Sequence, residues 1–456
     1  MQELSEVKAG NDWHRPGYAW YVVVILTLAY TLSFIDRQII SLLVGPIKED
    51  LGLSDFEISL LQGLAFASFY TLLGLPIGRL VDRYSRRTII SVGIFLWSLM
   101  TVTCGLARTY AQLFAARIGV GVGEATLSPA AYSMIADYFP KEKHARALSF
   151  YFAGVYLGTG LAFILGGAVI ALVAEAGEVV LPLLGQIKAW QVTFIAVGLP
   201  GLLFVLVMLT VREPKRRGLM RRAGGQGAAE ITLRQALGFI GRRWRLYLPL
   251  FLGFAFHALV GYASASWTPE FFIRTFDMAR TDVAYVFGLL VLVFATSGLL
   301  AGGWLADWLE ARGNAGAKIK VAIGGNLMMF LPALLFPLMP NPTMAFSLLA
   351  AALFFSGVPY GVGAAALQAI TPNQMRGLVT ASYLFVINLI GLGLGPSVVA
   401  VFTDFVFADE ARLGWSIAAT TALAIPLATG LLWLCLKPYL RARKAAEAWQ
   451  DQPNST

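Results

Sequence analysis

The chain has 456 residues, 57% hydrophobic and only 13% charged, with 46 glycines and a net charge of +9. That balance lies well outside the range of soluble domains. The three histidines (His14, His144, His257) are scattered, the two cysteines stand alone, and no phosphate-cradling Gly-Lys-Ser loop occurs, so the sequence predicts no enzyme, no ATP-driven pump, no metal and no cofactor.

A membrane crossing needs roughly 20 mostly apolar residues. Twelve stretches qualify, at approximately 18–44, 54–78, 88–107, 111–137, 146–174, 189–211, 246–272, 282–305, 318–339, 343–370, 377–407 and 413–436. Backbone polar groups cannot stay unpaired in lipid, so each stretch is predicted to be a helix, termed spans 1 to 12. No short apolar region with a small-residue cleavage site precedes the first, so span 1 is expected to be retained as an anchor. The predicted organisation is all-α: a tail at 1–17, a six-helix bundle at 18–211, a linker at 212–245, a second six-helix bundle at 246–437 and a tail at 438–456.

Basic residues set the orientation. With both ends in the cytoplasm, 27 of the 35 Lys and Arg fall inside and six outside: Lys48, Arg108, Lys188, Arg274, Arg280 and Arg412. The positive-inside rule therefore reads the +9 as topology, and no nucleic-acid partner is expected. In the linker, Gly224 to Gly227 is flexible, and the segment beginning at Ile231 suits a short amphipathic helix held to anionic lipid. Cys104 and Cys435 lie in separate spans, where apolar packing is expected rather than a disulfide.

Between Gly78 and Arg87 the chain reads Gly-Arg-Leu-Val-Asp-Arg-Tyr-Ser-Arg-Arg, a polar hinge between spans 2 and 3. A worn copy, Gly303-Trp-Leu-Ala-Asp307 with Arg312, follows about 225 residues later between spans 8 and 9. A duplicated hinge implies a duplicated bundle, and hence two halves that move about a site between them. Span 5 carries Gly154, Gly158 and Gly160, echoed by Gly391, Gly393 and Gly395 in span 11. Small residues at such spacing let helices approach closely.

The first hinge resembles the loop between spans 2 and 3 of the major facilitator superfamily, departing from it at Ser85, where glycine is usual. The resemblance covers nearly the whole chain. It implies two pseudo-symmetric six-helix bundles, with spans 1, 4, 7 and 10 lining a central cavity. Asp82, in the hinge that starts at Gly78, is expected to approach the start of span 11 near Gly377, where the helix dipole favours an anion, with Arg86 and Arg146 completing a cytoplasmic latch in the outward-open state. By charge, Arg79, Arg83 and Arg87 suit topology.

Few ionisable residues lie deep in the spans. Asp36 and Arg37 fall in span 1; Arg117 and Glu124 fall in span 4, seven residues apart and nearly on one face. Each buried charge costs about 3 kcal/mol or more, so these four are expected to face a cavity or one another. A purely structural ion-pair lock is the competing reading, disfavoured because apolar packing replaces such locks at little cost. Spans 7 to 12 are read as free of deep acids and bases, Asp404 lying near the outer end of span 11. Their cavity face is apolar or weakly polar: Phe254, Phe256, Tyr262, Trp267, Phe354, Phe355, Tyr360, Gln368 and Asn388. His257 is expected to be a packing residue.

One charged wall facing one apolar wall suits an amphiphile with an anionic or zwitterionic head. Phe34-Ile-Asp36-Arg37, with Arg117-Ile-Gly-Val-Gly-Val-Gly-Glu124-Ala, looks like the spinster branch, whose members move lysolipids and sphingolipid phosphates. That resemblance implies Arg37, Arg117 and Glu124 as substrate residues, with protons exchanged at Asp36 and Glu124; Tyr360 and Asn388, on the cavity face of the second half, complete the expected substrate site. Transporters of sugar acids and other small organic anions also place Asp-Arg in span 1 and an acid in span 4, and form the alternative. The expectation is a monomeric, multi-pass, proton-coupled transporter of a bacterial inner membrane, both termini cytoplasmic and in contact with membrane lipids.

Overall fold

The computed structural model describes residues 15–176, 179–181, 185–216, 233–372 and 375–450. Among them, 11 helices are long and apolar enough to cross a membrane. These are span 1 (Pro16–Leu42), span 2 (Asp55–Gly74), span 3 (Arg86–Cys104), span 5 (Arg146–Val173), span 6 (Ala189–Met208) and span 7 (Trp244–Phe276). The others are span 8 (Arg280–Ala311), span 9 (Ala317–Leu338), span 10 (Pro342–Ala369), span 11 (Arg376–Phe407) and span 12 (Glu410–Ala446).

Span 4 supplies the twelfth crossing in two pieces, Tyr110–Glu124 and Leu127–Tyr138. The break has a local cause. Pro129 has no N–H to offer the Ala125 carbonyl, and its ring crowds that oxygen. The Ala125 N–H still bonds Gly121 O at 3.1 Å, while Thr126 turns its hydroxyl onto Gly123 O at 2.8 Å. Glu124 is the last residue before the break.

Helix starts follow capping chemistry. Ser54 and Glu57 form a reciprocal capping box at span 2, and Ser85, Thr109 and Asn341 accept backbone N–H groups at spans 3, 4 and 10. The last helix continues through Pro438 to Gln450. Two strands, Val179–Leu181 and Gly185–Ile187, pair antiparallel between spans 5 and 6, the one departure from an all-helical fold among the described residues. The linker contains a helix at Leu233–Arg242; Gly224 to Gly227 and Ile231 lie outside the described residues. Cys104 and Cys435 are buried free thiols.

The packing repeats. Span 1 packs on 5, 2 on 4, 3 on 4 and 3 on 6; in the second half, 7 packs on 11, 8 on 10, 9 on 10 and 9 on 12. The halves meet through spans 5 and 8 and through spans 2 and 11. Both seams need glycine. A methyl group on Gly160 would sit 3.0 Å from Gly288 O, and one on Gly63 would sit 2.6 Å from Gly393 O. Leu203, Leu300, Trp433 and Leu434 stay exposed on the outer faces, as a hydrocarbon solvent demands.

Candidate functional site

The site starts at span 1. Arg37 extends from the last turn of the helix Pro16–Gln38, and its Nη2 donates to Glu124 Oε2 at 2.5 Å. Its guanidinium carbon lies 4.5 Å from the centroid of Phe34 and 4.4 Å from that of Phe66, with Tyr70 at 5.3 Å. Cation–π contacts in a desolvated setting are worth about 2 kcal/mol or more, so these rings help to offset burial of the charge. Tyr262 of span 7 stands beside Arg37 from the opposite half. Arg37 Nε and Glu124 Oε1 retain no hydrogen-bond partner.

Asp36 and Arg117 form a second layer on the other side of span 1. The Asp36 carboxylate turns toward Trp97 and Thr101 of span 3. Arg117 is completely buried and donates to two backbone carbonyls, Leu61 O at 3.2 Å and Asp36 O at 3.3 Å. Helix geometry explains the division: adjacent residues point about 100° apart, so Asp36 and Arg37 cannot share a face. Arg37 and Glu124 thus pair directly, while Arg117 braces the backbone that carries Asp36 and Leu61.

A cavity of about 140 Å³ shares Phe34 and Tyr262 with the surroundings of Arg37, while Arg37, Glu124 and the rest of span 4 stay out of its lining. Phe34 and Gln38 line it from span 1, Tyr156 and Thr159 from span 5, Tyr262 from span 7 and Tyr360 from span 10. Much of the remaining wall is aliphatic, from spans 8, 9 and 10. Asn388 is half-buried and opens a π-helical turn, Asn388–Leu394, in span 11. Phe254 packs edge-on against Tyr383, and Trp267 donates to Pro396 O at 2.9 Å; Gln368 is exposed.

The hinge residues sit differently from the docked latch. Arg86 is fully buried and pairs with Asp137, with Glu213 at 2.7 Å and with Ser133 Oγ at 2.9 Å, all on its own side. Arg146 is exposed over the Trp20 ring at 5.7 Å. Gly78 and Gly377 have open space where a side chain would project. The Asp82 side chain lies outside the described residues.

The bonds joining the halves gather at the end of the bundle where span 1 finishes, the end expected to face outward. Arg274 of span 7 grips the buried Asp55 of span 2 with both ends of its guanidinium, at 2.7 and 2.9 Å. Lys48 also pairs with Asp55 and reaches Glu410 at 2.9 Å. Glu270 accepts from Arg274 at 2.9 Å and Arg280 at 3.3 Å, and Arg280 reaches Leu42 O at 3.4 Å. Asp404 accepts the Phe56 N–H at 2.7 Å, and Ser59 donates to Ser397 at 3.1 Å. Sequence reasoning missed this seal. It looked only for acids deep in spans 7 to 12 and passed over Glu270, 2% exposed near the end of span 7. The Glu270–Arg274 spacing of four residues was the available signal.

Residues 26–396 match the Major Facilitator Superfamily model. The chain is 28% identical over 439 residues to an MFS-type efflux pump of Mycolicibacterium smegmatis, covering 94% of this chain and 95% of that one. It is 24% identical over 307 residues to a probable L-galactonate transporter of Escherichia coli, covering 65% of this chain and 64% of the relative. Among solved structures, a bacterial homologue of the human lysosomal transporter Spinster, inward-facing and unoccupied, superposes with a TM-score of 0.75 at 28% identity, covering 97% of this chain and all of that one.

Proposed function

The chain belongs to the major facilitator superfamily, a family of membrane transporters, and we propose that it moves an amphipathic anionic or zwitterionic lipid of lysolipid or sphingolipid type by proton-coupled alternating access. One observation carries this reading: the Arg37–Glu124 ion pair is joined to a mostly apolar cavity through Phe34 and Tyr262, which stand beside Arg37 and line that cavity. Similarity to the Spinster homologue supports placement in the branch whose resemblance implies that substrate class.

The chemistry follows from what a buried guanidinium needs. Stripping it of its partner costs about 3–5 kcal/mol. Arg37 therefore requires an anion, supplied either by the Glu124 carboxylate or by the head of the substrate. When the head takes Arg37, Glu124 loses its counter-charge and takes up a proton, with Oε1 open to receive it. When the substrate leaves, the proton leaves and the pair re-forms. Asp36, next to Arg37 in sequence and braced through its carbonyl by Arg117, is the second proton site. Tyr262 and Tyr360 flank the path of the chain, with Asn388 further along it. Opening of the outer seal at Asp55 and Arg274 exposes the site outward, and the Gly78–Arg146 latch closes the inner side.

Small organic anions such as sugar acids form the second reading, favoured by the galactonate relative and by the modest size of the cavity. Flux into proteoliposomes separates the two. A lysolipid and a sugar acid are each offered with and without a pH gradient; saturable, gradient-dependent flux of the lipid alone is the expected result. Saturable flux of the sugar acid alone overturns the lipid reading.

A further inference from the structure

The second half holds a polar cluster that the charged site does not use. His257 of span 7 is 1% exposed, and its Nε2 lies 3.0 Å from the Ser356 carbonyl of span 10. A carbonyl only accepts, so Nε2 carries the hydrogen and Nδ1 of the neutral ring presents a lone pair. That Nδ1 has no partner. The Asn326 carboxamide of span 9, completely buried, approaches the imidazole, yet neither its oxygen nor its nitrogen reaches hydrogen-bond geometry. The Tyr360 ring stands edge-on to the imidazole at 5.0 Å.

This cluster meets the cavity through Ser356 and Tyr360, with His257 and Asn326 one turn behind lining residues of their own helices. Val260 and Gly261, three and four residues after His257, line it; so do Met329, three residues after Asn326, and Ser356 and Tyr360 themselves. The lining includes no Asp, Glu, Lys or Arg among the described residues. A buried amide left without hydrogen bonds costs about 1–3 kcal/mol by protein measurements, so natural sequences keep one where a ligand or ordered water answers it. The groups here are an acceptor (Nδ1), an acceptor with donors (the carboxamide) and a hydroxyl (Tyr360). Their complement is a neutral group that both donates and accepts.

We propose that His257, Asn326 and Tyr360 form a hydrogen-bonding subsite for a hydroxyl group borne on an amphipathic substrate whose anionic head is held at Arg37. This rests on the lipid reading above. It makes the second half selective for hydroxylated molecules without any charge of its own.

The test uses 1-palmitoyl lysophosphatidic acid and its 2-deoxy analogue, which differ by one hydroxyl, with binding measured on the full chain in nanodiscs. Wild type is expected to bind the hydroxylated lipid about tenfold tighter, the scale of one well-made hydrogen bond. Asn326→Leu, of similar volume, is expected to bind both at the weaker affinity with an undiminished melting temperature. Tyr360→Phe keeps the ring on His257 and is expected to lose part of the discrimination. Equal binding of both lipids by wild type, or discrimination that survives both substitutions, overturns the subsite and leaves the lipid reading intact. If neither lipid binds, while a sugar acid does, the lipid reading falls and the subsite with it.

Discussion

Arg37 Nη2 and Glu124 Oε2 lie 2.5 Å apart, joining the end of one helix to the last residue before the break in another. The pair ties a proton acceptor to the cation that a substrate head would claim. Both partners are nearly inaccessible to solvent, so neither is free to lose the other without a replacement.

Glu124→Gln removes the exchangeable proton and keeps the shape. Gradient-driven uptake in proteoliposomes is expected to fall at least tenfold, while exchange of labelled for unlabelled substrate without a gradient persists. Wild-type and variant rates that are equally indifferent to the pH gradient would refute proton coupling through this residue.

Arg37→Ala leaves the Glu124 carboxylate buried without its cation. At neutral pH the loss of stability is expected to be about 3–5 kcal/mol, shrinking as acid neutralises Glu124. Adding Glu124→Gln to Arg37→Ala is expected to restore most of it. Thermal unfolding of the single and double variants, followed by tryptophan fluorescence, reads the difference; a double variant no more stable than the single one counts against the pairing.

The outer seal depends on Arg274, which touches both Asp55 and Glu270. Arg274→Gln is expected to shift the protein toward an outward-open form. A cysteine at Ser266, 6% exposed next to Gln62, reports this by labelling with an impermeant thiol reagent. The native thiols are buried and give little background. Labelling at least tenfold faster than in the parent is expected, and no change would dismiss Arg274 as a gate residue.

Glu213 anchors the start of the linker outside the spans. Burial alone would raise its carboxyl, but hydrogen bonds from the Arg87 N–H, Arg86 and Ser85 prevail and hold it below the usual range. A depressed acid contributes stability that is complete above its unfolded value, near pH 4.5, and is lost as pH falls through the folded one. The melting temperature is expected to drop below about pH 4.5 in wild type and to show a weaker drop in Glu213→Gln. Parallel pH profiles would show that the anchor is not electrostatic.

Much of this architecture is legible from residues alone because lipid imposes length, hydropathy and charge asymmetry on each crossing. The twelve stretches, the repeated hinge and the isolated deep charges come directly from those constraints. What pairs with what does not. Asp55 and Arg274 stand 219 positions apart, and only the meeting of the two halves makes them partners. Arg117 looked like a ligand for a carboxylate, yet it turns to backbone oxygens that no side-chain pattern announces. The break in span 4 was written in Pro129, but its consequence for Glu124 needed the helix on either side.

The interruption of span 4 also bears on bookkeeping of sidedness. Each half of that crossing is too short to qualify alone, so a tally of continuous greasy rods comes to an odd number. An odd tally would put the amino and carboxyl ends on opposite faces of the bilayer and invert every loop after Tyr138. The segment most easily overlooked in such a census is the one that carries the acid.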